Sequence, residues 1–115
     1  MDLKRGDVYW VDFEPAIGGE IKKVRPAVII SNDAANRMLN RVLVVPLSSQ
    51  IRRVYSGETL VQLRGQTSKA MSDQLTVASK LRFGNRIGAL DAADLSLIET
   101  NLLVQLGITP KGPRQ

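Results

Sequence analysis

Cysteine and histidine are both absent from the 115 residues, and the two gaps remove whole classes of chemistry. Without thiols there are no disulfides, no thiolate nucleophile and no cysteine-ligated zinc or cluster. Without imidazole, no side chain has an ordinary pKa close to neutrality, so proton shuttling of the histidine type is excluded. Aromatic residues are scarce, at 4%, so the core must be aliphatic, built from Val, Leu and Ile. No apolar run approaches the ~20 residues that a membrane-spanning helix needs. Met1-Asp2-Leu3-Lys4-Arg5 leads directly into a strand pattern, without the apolar stretch of a secretion signal. The expectation is a cytoplasmic protein that does not associate with membranes.

What is present suffices for one compact domain, over residues 1–108, with 109–115 as a frayed tail. Hydrophobic residues make up 43% of the chain, more than a disordered composition carries. The formal net charge is +5, from 16 Lys and Arg against 11 Asp and Glu. That balance favours an anionic partner: nucleic acid, an acidic protein or an anionic lipid surface.

Periodicity supplies the elements. Asp7 to Phe13 and Val24 to Ser31 are rich in β-branched residues and read as strands, with Pro26 expected at a strand start or outside the ladder. The intervening Glu14 to Lys23, with Pro15 and paired glycines, reads as a flexible loop. Asn32-Asp33 can cap a helical turn through Ala34, Ala35 and Met38. Arg41 to Leu47 is a nearly continuous apolar run, as in a strand covered on both faces. After a polar loop from Gln50 to Gly57, Thr59 to Leu63 and Ser72 to Ala78 read as strands joined by a turn over Arg64-Gly65-Gln66-Thr67-Ser68. A helix is expected over Ala92 to Leu106. Asp91 caps it, Asp94 stands in its first turn, and Leu95, Ile98, Leu102 and Leu106 form an apolar stripe beside Leu103. Gly107 and Pro110 stop it. The fold class is mainly β with a C-terminal helix: a small, strongly curved or partly open antiparallel barrel.

Two places attract attention as chemistry. Arg25 follows the glycine-rich loop on a short strand, and Ser48-Ser49-Gln50 closes an apolar strand; strand ends beside loops are where scaffolds display functional groups. Each also has a plain reading, a solvated arginine and a turn-forming hydroxyl. Lys22, Lys23, Arg52 and Arg53 are solvated loop charges or phosphate contacts, and we assign them as phosphate contacts. Tyr55 is either a base-stacking platform or a loop anchor.

The residues Lys4-Arg5-Gly6-Asp7-Val8-Tyr9-Trp10-Val11-Asp12-Phe13-x-Pro15, then Gly18-x-Glu20, Arg25-Pro26-Ala27-Val28-Ile29 and Val45-Pro46-Leu47-Ser48 resemble the opening half of the MazF/PemK (Kid) toxin family, in order and spacing. Ser72-Asp73-Gln74 looks like that family's later Asp/Glu-Gln strand, and the terminal helix is also similar. The resemblance implies an SH3-like barrel of the CcdB/MazF type that works as a homodimer. It implies an endoribonuclease that cuts single-stranded RNA at short sequences with no metal or other cofactor, and that an acidic antitoxin neutralises. The family's catalytic arginine falls on Arg25. Its catalytic hydroxyl, usually threonine, falls on Ser48, which lacks the methyl that stiffens χ1 in threonine. Glu20, Asn32, Ser49, Gln50, Ser68, Asp73 and Gln74 would lie near the substrate.

The implied chemistry is consistent with the residues available. RNA brings its own nucleophile, the 2′-hydroxyl, and a guanidinium fork matches two phosphate oxygens at all working pH values. The products would be a 2′,3′-cyclic phosphate and a 5′-hydroxyl, and DNA would not be cut. Two other readings remain at this point. One is a non-catalytic RNA- or DNA-binding homologue. The other is a CcdB-like gyrase-binding toxin, a type that depends on a C-terminal Trp-Gly-Ile, whereas Trp10 is the sole tryptophan here.

Overall fold

Val, Tyr and Trp favour extended backbone because their branched or bulky side chains pack well on a pleated surface. Asp7–Asp12 accordingly forms the first strand, β1. The computed structural model describes residues 2–13 and 23–109. The expected loop over 14–22, with Glu20 and Lys22, and residues 110–115 of the expected tail lie outside the described residues. The other strands are β2 (Val24–Ile29), β3 (Arg41–Ser48), β4 (Glu58–Leu63), β5 (Gln66–Met71), β6 (Thr76–Ser79) and β7 (Phe83–Ala89). Two helices complete the set: α1 (Asp33–Met38) and α2 (Ala92–Gln105).

All recorded strand pairings are antiparallel, in the order β4-β5-β3-β2-β1-β7, with β6 also paired to β3. The sheet curls until its ends approach, so that a Cβ on Gly88 of β7 would sit 3.4 Å from Leu63 Cδ1 at the end of β4. This is the expected partly open barrel, closed at one side by α2.

β3 is the spine. Val28, Val45 and Leu47 point into a cluster with Val61, Leu63, Ala70, and Ile98 and Leu102 of α2. The alternate residues Ala27, Ile29, Val42 and Val44 join Leu3, Tyr9 and Val11 in a second cluster. Strands buried on both faces read as continuous apolar runs, which is why Arg41 to Leu47 looked as it did. Along its second edge β3 pairs with β6 through Val44 and with β5 from Leu47. Pro46 falls in the gap between the two ladders, where a missing N–H costs no hydrogen bond. Pro26 is neither at the start of β2 nor outside the sheet. It is the third residue of the strand, opposite Trp10 in β1, while the pairing with β3 begins one residue later at Ala27.

α2 starts as expected, with Asp91 accepting the Asp94 N–H at 2.9 Å. Asp94 does more than offset the helix dipole: its carboxylate accepts the Gln62 backbone N–H at 2.8 Å, which ties the helix to the edge strand β4 and covers an otherwise open donor. The apolar stripe ends a turn early. Ile98 and Leu102 are buried, but Leu106 is exposed and only caps the helix before Gly107 takes a φ of 71°.

Three parts of the sequence reading change. The turn after β4 is only Arg64-Gly65, both at positive φ, which gives a two-residue hairpin whose twist matches the strands. Gln66, Thr67 and Ser68 therefore belong to β5. Ser72–Gln74 is a turn of 3-10 helix rather than the start of a strand, and the strand begins at Thr76. β7 was not expected: its two glycines and central Asn85-Arg86 break any alternation, and its pairing with β1 shifts register twice.

Candidate functional site

β2 and β3 place Arg25 and Ser48 together. Ala27 stands opposite Pro46 in the last recorded pair between the two strands, and Arg25 and Ser48 each lie two residues beyond that pair on their own strand. Both line a groove of about 700 Å³ at the open end of the barrel. Leu47, Leu63 and Pro26 supply apolar walls, and Trp10 contributes a partly exposed indole. Lys23, Arg25 and Arg64 bring positive charge, and Ser49, Gln66 and Ser68 bring hydrogen-bonding groups. Among the described residues, none of those lining the groove is a carboxylate.

Ser48 is nearly buried, and its Oγ accepts the Gln50 backbone N–H at 3.1 Å. The plain reading of a turn-forming hydroxyl is thus correct as far as it goes. The bond fixes the rotamer from the acceptor side and leaves the hydroxyl proton free to donate. It gives Ser48 a substitute for the stiffness that the threonine methyl would provide.

Gln50, Arg52 and Arg53 line a second, smaller hollow of about 550 Å³, together with Tyr55 and Lys69. The structure thus separates the expected substrate contacts into two groups. Lys23, Ser49 and Ser68 stand with Arg25 and Ser48, whereas Gln50, Arg52 and Arg53 stand apart with Tyr55. Asn32 is in neither group. It lies beyond the opposite end of β2 and caps α1, accepting the Ala35 N–H at 2.9 Å. Asp73 and Gln74 belong to the 3-10 turn between β5 and β6 and line neither hollow. Glu20 and Lys22 lie outside the described residues.

The sequence reading missed Trp10, Arg64 and Gln66 as parts of the groove. The Arg64-Gly65 pair between two alternating segments was the available signal, since a residue followed by glycine marks a tight hairpin. It also missed Lys69 and Glu58, for which the sequence carries no signal. No group of three or more His, Cys, Asp or Glu side chains that could hold a metal ion occurs among the described residues. Nor is any helix of the described residues long and apolar enough to cross a membrane.

A curled antiparallel sheet with a C-terminal helix and a groove that carries no carboxylate among the described residues defines a small half-barrel protein suited to a polyanion. The chain belongs to the PemK-like, MazF-like toxin family of type II toxin–antitoxin systems, whose model matches residues 4–106. It is 32% identical over 115 residues to endoribonuclease MazF9 of Mycobacterium tuberculosis, covering 92% of this chain and 98% of that protein. A solved mycobacterial endoribonuclease, in complex with its cognate antitoxin, superposes with a TM-score of 0.78 at 26% identity, over 94% of this chain and 98% of that one. MazF from Deinococcus radiodurans shares the fold with a TM-score of 0.83 at 22% identity, over 94% of this chain and 99% of that one. The fold class expected from the sequence is therefore the one observed.

Proposed function

We propose that this toxin is an endoribonuclease that cleaves single-stranded RNA at short specific sequences without a metal ion. The observation that carries the reading is that Arg25 and Ser48, at the ends of neighbouring strands, line one cationic groove. The scissile phosphate sits between the two side chains. Arg25 binds the non-bridging oxygens through its planar fork and neutralises the charge that grows as the 2′-hydroxyl attacks phosphorus. Ser48 donates its free proton to the same phosphate. Arg25, charged throughout, stabilises the departing 5′-oxygen and is no general base. Solvent water takes up the 2′-hydroxyl proton and supplies the one that the departing oxygen gains, so the products are a 2′,3′-cyclic phosphate and a 5′-hydroxyl. Lys23 and Arg64 hold flanking phosphates, and Trp10 offers a face against which a splayed base stacks.

The mature form is a homodimer. Leu43 of β3 and Val77 of β6 face each other across the ladder and are both substantially exposed, an apolar pair that a second copy of the chain would cover. The antitoxin carries an acidic, unfolded segment that lies along the cationic groove and orders as it binds.

The test is end-group analysis of a mixed single-stranded RNA incubated with pure protein in excess EDTA, beside Arg25→Ala and Ser48→Ala. Discrete cuts with 5′-hydroxyl ends, lost in Arg25→Ala and strongly reduced in Ser48→Ala, are the expected result. Intact RNA, or a variant pair that cuts as well as the parent, would move the non-catalytic binding reading forward.

A further inference from the structure

Lys69 is the least expected polar residue in the sheet. It lies in the middle of β5, opposite Ser48 of β3 on one side and Leu60 of β4 on the other. Its side chain is only 9% exposed, and that of its partner Glu58 only 8%. The ammonium donates to Glu58 Oε1 at 3.1 Å and to the Arg53 backbone carbonyl at 3.1 Å. The Tyr55 ring lies over it, 5.5 Å from Nζ to centroid. Glu58 Oε1 in turn accepts the Tyr55 backbone N–H at 2.8 Å.

The connection from β3 to β4, residues 49–57, has no strand or helix of its own. Its start is tied by a turn bond, Gln50 N–H to Ser48 Oγ, and its end by the Ser72 N–H to the Gly57 carbonyl and a turn bond from the Glu58 N–H to the Tyr55 carbonyl. Its middle is tied through the ion pair, by Lys69 at Arg53 and by Glu58 at Tyr55. A buried ion pair is a poor device for stability, because apolar side chains of similar size do as well or better. It is an effective device for fixing geometry, since each charge demands its partners in one arrangement.

We propose that Lys69 is a positioning residue. With Glu58 it clamps the 49–57 segment so that Arg52 and Arg53 meet the RNA strand in one register relative to the Arg25–Ser48 groove, and so sets which sequences are cut. The inference rests on the ribonuclease reading and deepens it. The second hollow is then the place where the strand beside the scissile phosphate is gripped, and Lys69 couples it to β3 across a single ladder step.

Lys69→Met alone strands the Glu58 carboxylate and risks the fold, so the decisive variant is Glu58→Leu with Lys69→Met, which removes both charges. Lys69→Arg serves as the conservative comparison. Trypsin cleavage after Arg52 and Arg53 reads the clamp without reference to RNA. It is expected to quicken roughly tenfold in the double variant and to stay close to the parent in Lys69→Arg. On RNA, the double variant is expected to raise KM about tenfold, to lower kcat much less, and to broaden the range of sequences cut. Lys69→Arg should restore the parent's cut sites. A folded double variant with the parent's tryptic rate shows that there is no clamp. A faster tryptic rate with unchanged KM and cut sites, or a loss confined to kcat, shows that the clamp does not position substrate. Either result overturns the proposal. A parent that leaves RNA intact overturns the ribonuclease reading itself and the positioning role with it, and the tryptic comparison tells that case from a failed clamp.

Discussion

The two hollows of this molecule present the same charge by different means. In the groove, Arg25 stands on β2 where it pairs with β1, and Ser48 closes β3 where it pairs with β5, so both side chains stand on backbone that the sheet fixes. In the second hollow, Arg52 and Arg53 ride on a connection held by the Lys69–Glu58 ion pair and one backbone turn bond at Tyr55. Chemistry at phosphorus tolerates little displacement, and a misplacement of about 1 Å can cost a hundredfold in rate. Recognition of flanking nucleotides tolerates more, and benefits from a segment whose sequence can change without disturbing the core. Strand-borne charge therefore suits the reacting centre, and loop-borne charge suits selection.

That division can be broken by mutation. Arg25→Ala should lower cleavage by roughly 10²- to 10³-fold with little change in thermal stability, because a fixed donor to the transition-state oxyanion is removed. Rate and melting temperature measured on one preparation check it; a reduction below tenfold would place the reacting centre elsewhere. Ser48→Ala should cost roughly ten- to a hundredfold, the worth of a hydrogen bond to a charged group. Ser48→Thr should stay within about threefold of the parent, since the Gln50 bond already fixes the rotamer. Arg52→Ala and Arg53→Ala should act several-fold on KM. Each should make RNA binding less sensitive to salt, by about 0.7 in the log–log slope for every phosphate no longer neutralised. A catalytic defect as large as that of Arg25→Ala would erase the distinction between the hollows.

Two smaller effects lie outside both hollows. Val77→Arg should yield a monomer by sedimentation, because it places a charge in the exposed apolar pair with Leu43. The smallest effect concerns Asp33. The Arg5 backbone N–H, 2.7 Å away, is the main reason its carboxyl sits below the ordinary value of 3.8, with Asn36 adding a second donor. A depressed folded-state pKa contributes stability that is present above the unfolded value and lost as pH falls through the folded one. Asp33→Asn should therefore flatten slightly the decline in melting temperature below about pH 4 and leave cleavage at neutral pH untouched.

Legibility in the sequence followed burial. β1, β2, β3 and α2 were readable to within two residues, because each is anchored by residues of one period in a closed core, such as Val8, Val28, Val45 and Ile98. β5 was not, since Gln66, Thr67, Ser68 and Lys69 have the composition of a turn and become a strand only through pairing with β4 and β3. β7 was hidden by its glycines and its irregular register. Arg25 and Ser48 stood out by their places at strand ends beside loops, but only the family resemblance chose a functional reading, because an arginine or a serine there has ordinary explanations. The rest of the groove was legible in part: Lys23, Ser49 and Ser68 were expected at the substrate, whereas Trp10 and Gln66 come from elements distant in sequence. Lys69 was the least legible of all: a lysine in a polar stretch reads as solvated, and its burial depends on a carboxylate eleven positions away.

Trp10 gives the molecule an optical channel of its own. It is the only indole in the chain, and it stands half in solvent on the wall of the groove, outside the lining of the second hollow. Its emission therefore reports on one place. An oligonucleotide with 2′-deoxy or 2′-O-methyl sugars, which cannot be cut, should quench or shift that emission as it fills the groove. Binding confined to Arg52 and Arg53 should leave the spectrum as it was. Occupancy of the groove can thus be followed without a label, separately from binding at the second hollow.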